Sequence, residues 1–192
     1  MDLTTGTPKE KNDRAKKMML WFGIVSLIMG FAGWTSAYIV SSTREDWLTD
    51  LQLPSSFLYS TVVLVMSSVT YILAKSAIKA DNRKMCTNWL WITFVLGLAF
   101  IFLQFNGFSE MIAQGYYFTG PTSSITMSYI FLIAMVHILH VVAGLISLSV
   151  VLYNQIKGKY SSKEFLGLEL GATFWHFLDL LWVYLILFFY FY

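Results

Sequence analysis

Five stretches of the chain are almost continuously apolar, and shorter polar stretches separate them. They cover residues 18–40, 57–78, 86–107, 125–153 and 165–190. Each is long enough to form a helix across the hydrocarbon core of a bilayer, which takes about 20 mostly apolar residues. Their continuous hydrophobicity differs from the alternating pattern of barrel strands. The pattern therefore predicts an all-α, polytopic membrane helical bundle with five transmembrane helices, formed by residues 18–192 after a polar tail at 1–17.

The positive charges lie almost entirely on one side of this predicted bundle. The tail and the linkers at 75–85 and 154–164 contain five, four and three Lys or Arg residues, whereas the two opposite linkers contain only Arg44. Lys and Arg are enriched in the cytoplasmic loops of membrane proteins. We therefore expect the N-terminus inside and the C-terminus outside, with residues 1–17 as a cytoplasmic tail of a multi-pass membrane protein.

Composition agrees with a chain that resides in lipid, since 57% of its residues are hydrophobic and only 12% are charged. The net charge of +2 is nearly balanced, so we expect no nucleic-acid partner. Cys86 is the sole cysteine, which excludes an internal disulfide and a cysteine-based metal cluster.

Ionisable side chains are costly at membrane depth, so each one is a candidate for a structural or functional site. We define the polar set as the five that occur in helices 4 and 5: His137, His140, Glu169, His176 and Asp179. Antiparallel packing would bring the histidines and Asp179 to one depth, with Glu169 roughly 10 Å nearer the cytoplasm at about 1.5 Å rise per residue. We expect the set to form a mutually hydrogen-bonded cluster that holds the two helices together.

The residues alone leave other uses of the polar set open. His137 or His140 opposite His176 could supply the axial imidazoles of a haem, as in a stand-alone di-histidine cytochrome b. A proton relay is a further possibility, because buried His and carboxylate groups can titrate near neutral pH. A small transporter is a third class, although no inverted repeat or broken helix is visible. One His pair with one Asp is too few ligands for a di-iron site, and we expect no metal, no cofactor and no catalytic residue in this chain.

Small residues recur along one face of the first helix at alternating spacings of three and four. We define the small-residue stripe by its members: Gly23, Ser26, Gly30, Gly33 and Ala37. Small residues let another helix or a lipid chain approach the backbone closely. We expect packing within the chain here in preference to contact with another subunit.

The fifth helix carries the most specific motif of the sequence. Glu169 precedes a Trp-His-Phe-x-Asp-x-x-Trp block at residues 175–182, and this combination resembles the C-terminal signature of the haem-copper oxidase subunit III family. On the fourth helix, His137 and His140 followed by Gly144 resemble the family's His-x-x-His-x-x-x-Gly. Supporting similarities occur in order along the chain, at Asn82-Arg83, Leu96-Gly97 and Phe102-Leu103-Gln104.

The resemblance implies a non-catalytic subunit of a respiratory terminal oxidase, in which oxygen reduction is coupled to proton pumping. Haem and copper would then lie in partner subunits, chiefly the catalytic subunit I. This chain would hold phospholipid in a cleft and support enzyme stability and proton uptake, as a short five-helix bacterial form. We favour cytochrome c as the electron donor of the complex, with an accessory subunit of a quinol oxidase or of a nitric oxide reductase as alternatives.

The chain departs from the family pattern at two carboxylates. The family's membrane carboxylate on the first shared helix would fall at Val25 or Ser26, and residues 18–40 contain no Asp or Glu. The Glu that follows the family's Leu-Gln on the third helix would fall near Gly107. Proton-related roles attributed to those carboxylates therefore have no counterpart residue here.

Overall fold

The computed structural model describes residues 6–48, 53–120 and 123–192, and all regular structure in these ranges is helical. The five helices, each long and apolar enough to cross a membrane, confirm the predicted all-α fold with five spans. Their bounds are α1 Pro8–Ser41, α2 Ser55–Lys79, α3 Arg83–Ala113, α4 Ile125–Ile156 and α5 Leu166–Phe191.

Helix α1 begins ten residues before the predicted span, so most of the polar tail is helical. Thr7 and Glu10 form a capping box, and Pro8 occupies the first turn, where its missing N–H is not needed. At about 1.5 Å per residue the helix is about 50 Å long, which exceeds a hydrocarbon core of about 30 Å. The hydropathy pattern marks only the part of this helix that is apolar.

Helices α2 and α3 form a closely packed hairpin. The turn between them places Asp81 in the left-handed region, at φ 57°, and the Asn82 side chain caps α3 by accepting a hydrogen bond from the Met85 N–H. Helix α4 packs on α3 and α5, and α5 also packs on α2. Helix α1 is peripheral, since in the described ranges its backbone approaches α4 and α5 and no other helix.

Trp175 on α5 lies where four helices meet. It is 2% exposed, and its indole N–H donates to the Ser67 hydroxyl of α2 at 3.0 Å. Its ring lies against Gly97 of α3 and Gly144 of α4, where an added Cβ would come within 2.8 Å and 3.3 Å of ring atoms. The missing side chains of these glycines make the space that the indole fills.

Candidate functional site

His137 of the polar set is in the middle of an aromatic cage. The side chain is fully buried, and its ring stacks on Trp182 of α5 with centroids 5.0 Å apart. The edges of Phe31 from α1 and Phe100 from α3 close the cage. Neither ring nitrogen has a hydrogen-bond partner among the described residues. His137 therefore contributes packing between four helices in place of the hydrogen bond that we expected.

His140 stays on its own helix. Its Nδ1 lies 2.7 Å from the Val136 carbonyl oxygen one turn earlier, and its ring meets the edge of Phe31. This is a local contact within α4 with one aromatic neighbour on α1, and it makes no bond to α5.

Glu169 links the two helices on either side of α5. One carboxylate oxygen lies 3.2 Å from Lys17 Nζ of α1, and the other lies 3.6 Å from Lys75 Nζ of α2. All three side chains are between about a third and a half exposed, so water screens these ion pairs. The carboxylate thus bridges α1 and α2 at the basic end of the bundle.

His176 and Asp179 face α2. His176 Nδ1 lies 2.6 Å from the Ser68 hydroxyl oxygen, and its ring meets the edge of Tyr71. Asp179 is 5% exposed, and neither of its oxygens has a hydrogen-bond partner among the described residues, although the same Ser68 is close enough to influence the carboxyl group. Helix α5 therefore turns its membrane-depth polar groups towards α2.

The five members of the polar set lie on two adjacent helices, but no hydrogen bond or ion pair in the described ranges joins two of them. The expected mutual pairing across α4 and α5 is therefore not present in this geometry. Position along a helix predicts how deep a side chain lies in the membrane, but it does not predict which neighbouring helix that side chain faces. The α5 residues face α1 and α2, whereas His137 faces the bundle centre.

Hydroxyl groups on α2 supply the partners that sequence reasoning missed. Each of three aromatic or imidazole side chains of α5 meets one of them. Trp175 contacts Ser67, His176 contacts Ser68, and Trp182 donates its indole N–H to Thr61 at 3.1 Å. The signal was available as a run of Ser and Thr residues inside an apolar span, since such residues form hydrogen bonds between membrane helices.

The small-residue stripe on α1 faces away from the bundle. Gly23, Ser26, Gly30 and Gly33 are exposed, and a Cβ added at any of the three glycines would meet nothing within 4 Å. The expected packing of this stripe within the chain is therefore wrong at these four positions, whereas Ala37 is half-buried. The inward face of α1 is a different one, formed by Ile24, Phe31, Thr35 and Tyr38.

A groove opens at the basic end of the bundle between the first turns of α1 and the connection from α4 to α5. Its volume is about 910 Å³. Cationic side chains outnumber acidic ones along its walls: Lys9, Arg14, Lys16, Lys17, Lys159 and Lys163 against Glu10, Asp13, Glu164 and Glu169. Lys9 contacts Glu164 across the groove, and this hydrogen bond and charge lower the pKa of the exposed Glu164. A smaller groove with apolar walls adjoins it and shares Tyr160, Gly167 and Leu170.

No cluster of three or more His, Cys, Asp or Glu side chains suited to a metal ion occurs in the described ranges. The histidines also do not face each other as an axial pair, because one is caged by aromatic rings and another is bonded to α2.

Comparison with known proteins places this bundle in a family. The sequence model of the family described as cytochrome c oxidase subunit III matches residues 45–192, which contain α2 to α5 and the whole polar set. The chain belongs to this family. The small-residue stripe and Lys17 lie outside the matched part of this subunit III chain.

Several relatives of the subunit III family support the match over different lengths. The chain is 30% identical over 178 residues to cytochrome bo(3) ubiquinol oxidase subunit 3 of Buchnera aphidicola from Acyrthosiphon pisum, covering 91% of this chain and 85% of the relative. It is 34% identical over 126 residues to the protein of the same name from Pseudomonas aeruginosa, covering 66% and 59%. It is 33% identical over 131 residues to cytochrome c oxidase subunit 3 of Spodoptera frugiperda, covering 67% and 83%. The aligned region thus spans between about three fifths and six sevenths of these relatives.

Proposed function

We propose that this chain is a non-catalytic subunit III of a cytochrome c oxidase in a bacterial inner membrane. The observation that carries the proposal is the family match over 45–192, which coincides with four of the five membrane helices. Haem and copper would be held by partner subunits, above all the catalytic subunit I, and this chain would stabilise that subunit and support its proton uptake.

The packing of the histidines supports a role without a redox centre. A haem held by two imidazoles needs both rings to reach the iron from opposite sides. The His137 ring is in face-to-face contact with Trp182 and edge contact with Phe31 and Phe100, so haem would have to displace the core of the bundle. These contacts disfavour the stand-alone cytochrome b.

The basic groove supports the binding of phospholipid. Its cationic walls suit a phosphate group, and the adjoining apolar groove suits the start of an acyl chain. The positive charges also support a cytoplasmic position for this end of the bundle, with the N-terminus inside. Reporter fusions at Tyr160 and Tyr192 should report cytoplasm and periplasm respectively, and the reverse result would contradict this orientation.

Deletion of the gene tests the oxidase role. We expect membranes of the deletion strain to lose terminal oxidase activity faster during turnover, while the haem absorption of the core enzyme remains. Oxygen consumption should be measured with ferrocytochrome c and with ubiquinol as separate donors. A defect confined to ferrocytochrome c supports the proposal, and a defect confined to ubiquinol would assign the subunit to a quinol oxidase instead. Unchanged oxidation of both donors would refute an oxidase role.

A further inference from the structure

The interface between α2 and α5 holds a carboxyl group in an unusual position. Asp179 is buried, with only 5% of its surface exposed, and lies at the middle of α5. An ionised carboxylate removed from water is very costly unless a cation or several donors compensate it. Among the described residues no Lys, Arg or His forms an ion pair with Asp179. A neutral carboxylic acid is the form that this environment accepts.

Ser68 is the polar neighbour that Asp179 shares with His176. The Ser68 hydroxyl lies 2.6 Å from His176 Nδ1. The buried Asp179 carboxyl group, whose oxygens have no hydrogen-bond partner in the described ranges, is three residues further along α5 and close to the same hydroxyl. A hydroxyl group can accept one hydrogen bond while it donates another. Ser68 can therefore accept from the Asp179 carboxyl O–H and donate to His176 Nδ1 after a small rotation of the side chains.

We infer that Asp179, Ser68 and His176 form one proton-holding unit between α2 and α5. In its resting form Asp179 carries the proton, and His176 is a neutral imidazole with its own proton on Nε2. If the chain of bonds reverses, the Asp179 O–H bond breaks as Ser68 gains that proton, and Ser68 passes its former proton to Nδ1. The products are a carboxylate and an imidazolium, with no change in total charge.

The surrounding charges favour the resting form. The partial burial of the His176 ring and the positive charge of Lys75 on α2 both act against a positive charge on His176. Glu169 is paired with Lys75 and with Lys17 of α1, so its charge is already compensated. Other titratable groups near the unit in the described ranges are Tyr71 of α2, whose ring meets the edge of the His176 ring, Cys86 of α3 in the same buried cluster as Tyr71, and His137 of α4, whose ring stacks on Trp182. A Tyr hydroxyl and a Cys thiol are ordinarily neutral at pH 7.

Infrared spectroscopy tests this inference on the full chain in its membrane complex. The carboxyl carbons of aspartate are isotopically labelled in this subunit. Asp179 is the only Asp within an apolar span of the sequence, and the other Asp residues lie in polar termini and linkers. We expect a labelled band of a protonated carboxyl group at neutral pH, which shifts on exchange into D₂O and disappears in Asp179→Asn. A spectrum with labelled carboxylate bands only would overturn the inference.

Two serines next to each other provide a matched pair of variants. Ser68→Ala should shift the carboxyl band and the nitrogen NMR signal of His176 Nδ1, because both groups lose their shared partner. Ser67→Ala removes a hydrogen bond between the same helices, to Trp175, and should leave both signals in place. If Ser68→Ala moves neither signal, or if Ser67→Ala moves them equally, Ser68 is not the bridge. Because the wild-type spectrum alone decides whether Asp179 is protonated, the test holds even if Asp179→Asn fails to assemble.

Discussion

Two groups of glycines in this subunit differ in what surrounds them. An added Cβ at Gly144 of α4 would lie 2.9 Å from Leu178 Cδ1, and one at Gly171 of α5 would lie 2.7 Å from the Tyr71 hydroxyl oxygen. At Gly23, Gly30 and Gly33 of α1 it would meet nothing within 4 Å. The inner glycines are thus required for close helix packing, whereas the regularly spaced ones are not. Regular spacing of small residues shows that a helix has a face without large side chains. Only the fold shows whether another helix of the same chain packs on that face.

The largest expected effect is at the side chain that the inner glycines accommodate. Trp175→Ala removes a buried indole from the meeting point of four helices, and we expect a loss of about 3–5 kcal/mol, as for other buried aromatic residues. Trp91→Ala is the control, because Trp91 is 48% exposed on α3. The free energy of unfolding in mixed detergent and lipid micelles measures both. Equal losses would show that the packing around Trp175 contributes no more to the free energy of unfolding than an exposed Trp does.

Substitution by alanine should affect the inner and the outer glycines differently. Gly144→Ala forces Leu178 and Trp175 to move, and overpacking of this kind costs about 1–3 kcal/mol. Gly30→Ala has open space and should leave stability unchanged or raise it by up to about 1 kcal/mol, since Ala favours helix. The same unfolding assay applies to the subunit outside its complex. A larger loss for Gly30→Ala would mean that α1 packs against the chain differently.

The attachment of α1 should depend modestly on Glu169. Glu169→Gln weakens the contacts with Lys17 and Lys75, and we expect about 1 kcal/mol or less because the side chains are partly exposed. Faster hydrogen exchange in the first half of α1 is the readout. Lys11→Gln serves as control, since it removes a positive charge from the N-terminal part of α1 at a position that forms none of these ion pairs. Exchange that is unchanged by Glu169→Gln but raised by Lys11→Gln would contradict the bridge.

The smallest effect concerns pH and the contact between Lys9 and Glu164. The pKa of Glu164 lies below its ordinary value of 4.5 because Lys9 hydrogen-bonds to it. Stabilisation by a carboxylate with a lowered pKa is present above the unfolded value and is lost as pH falls through the folded value. Spin labels at the exposed positions Asn12 and Ser162 should therefore keep a constant separation from neutral pH down to about 4.5 and separate below it. A Lys9→Met variant should show no such transition in this range.

Hydropathy and charge were enough to predict the helices, because the demands of a bilayer on length and polarity act on each segment separately. The ends of the helices were not predicted, since a capping box such as that of Thr7 continues α1 beyond the apolar span. The inward-facing positions of His137, His176 and Asp179 in the polar set could also be anticipated. Their partners could not, because rotation of α5 about its axis directs His176 to Ser68 of α2 and is fixed only by the packing of the whole bundle.

Purification through an affinity tag on this chain tests whether it is a non-catalytic subunit of a cytochrome c oxidase. The subunit, extracted from native membranes in a mild detergent, should elute with a haem-containing subunit I in equal amounts and with cytochrome c oxidase activity. The haem absorption should follow subunit I when the complex is dissociated, leaving the separated chain colourless. Elution without any haem protein, or a stoichiometric haem that stays with the separated chain, would contradict the assignment as a non-catalytic oxidase subunit.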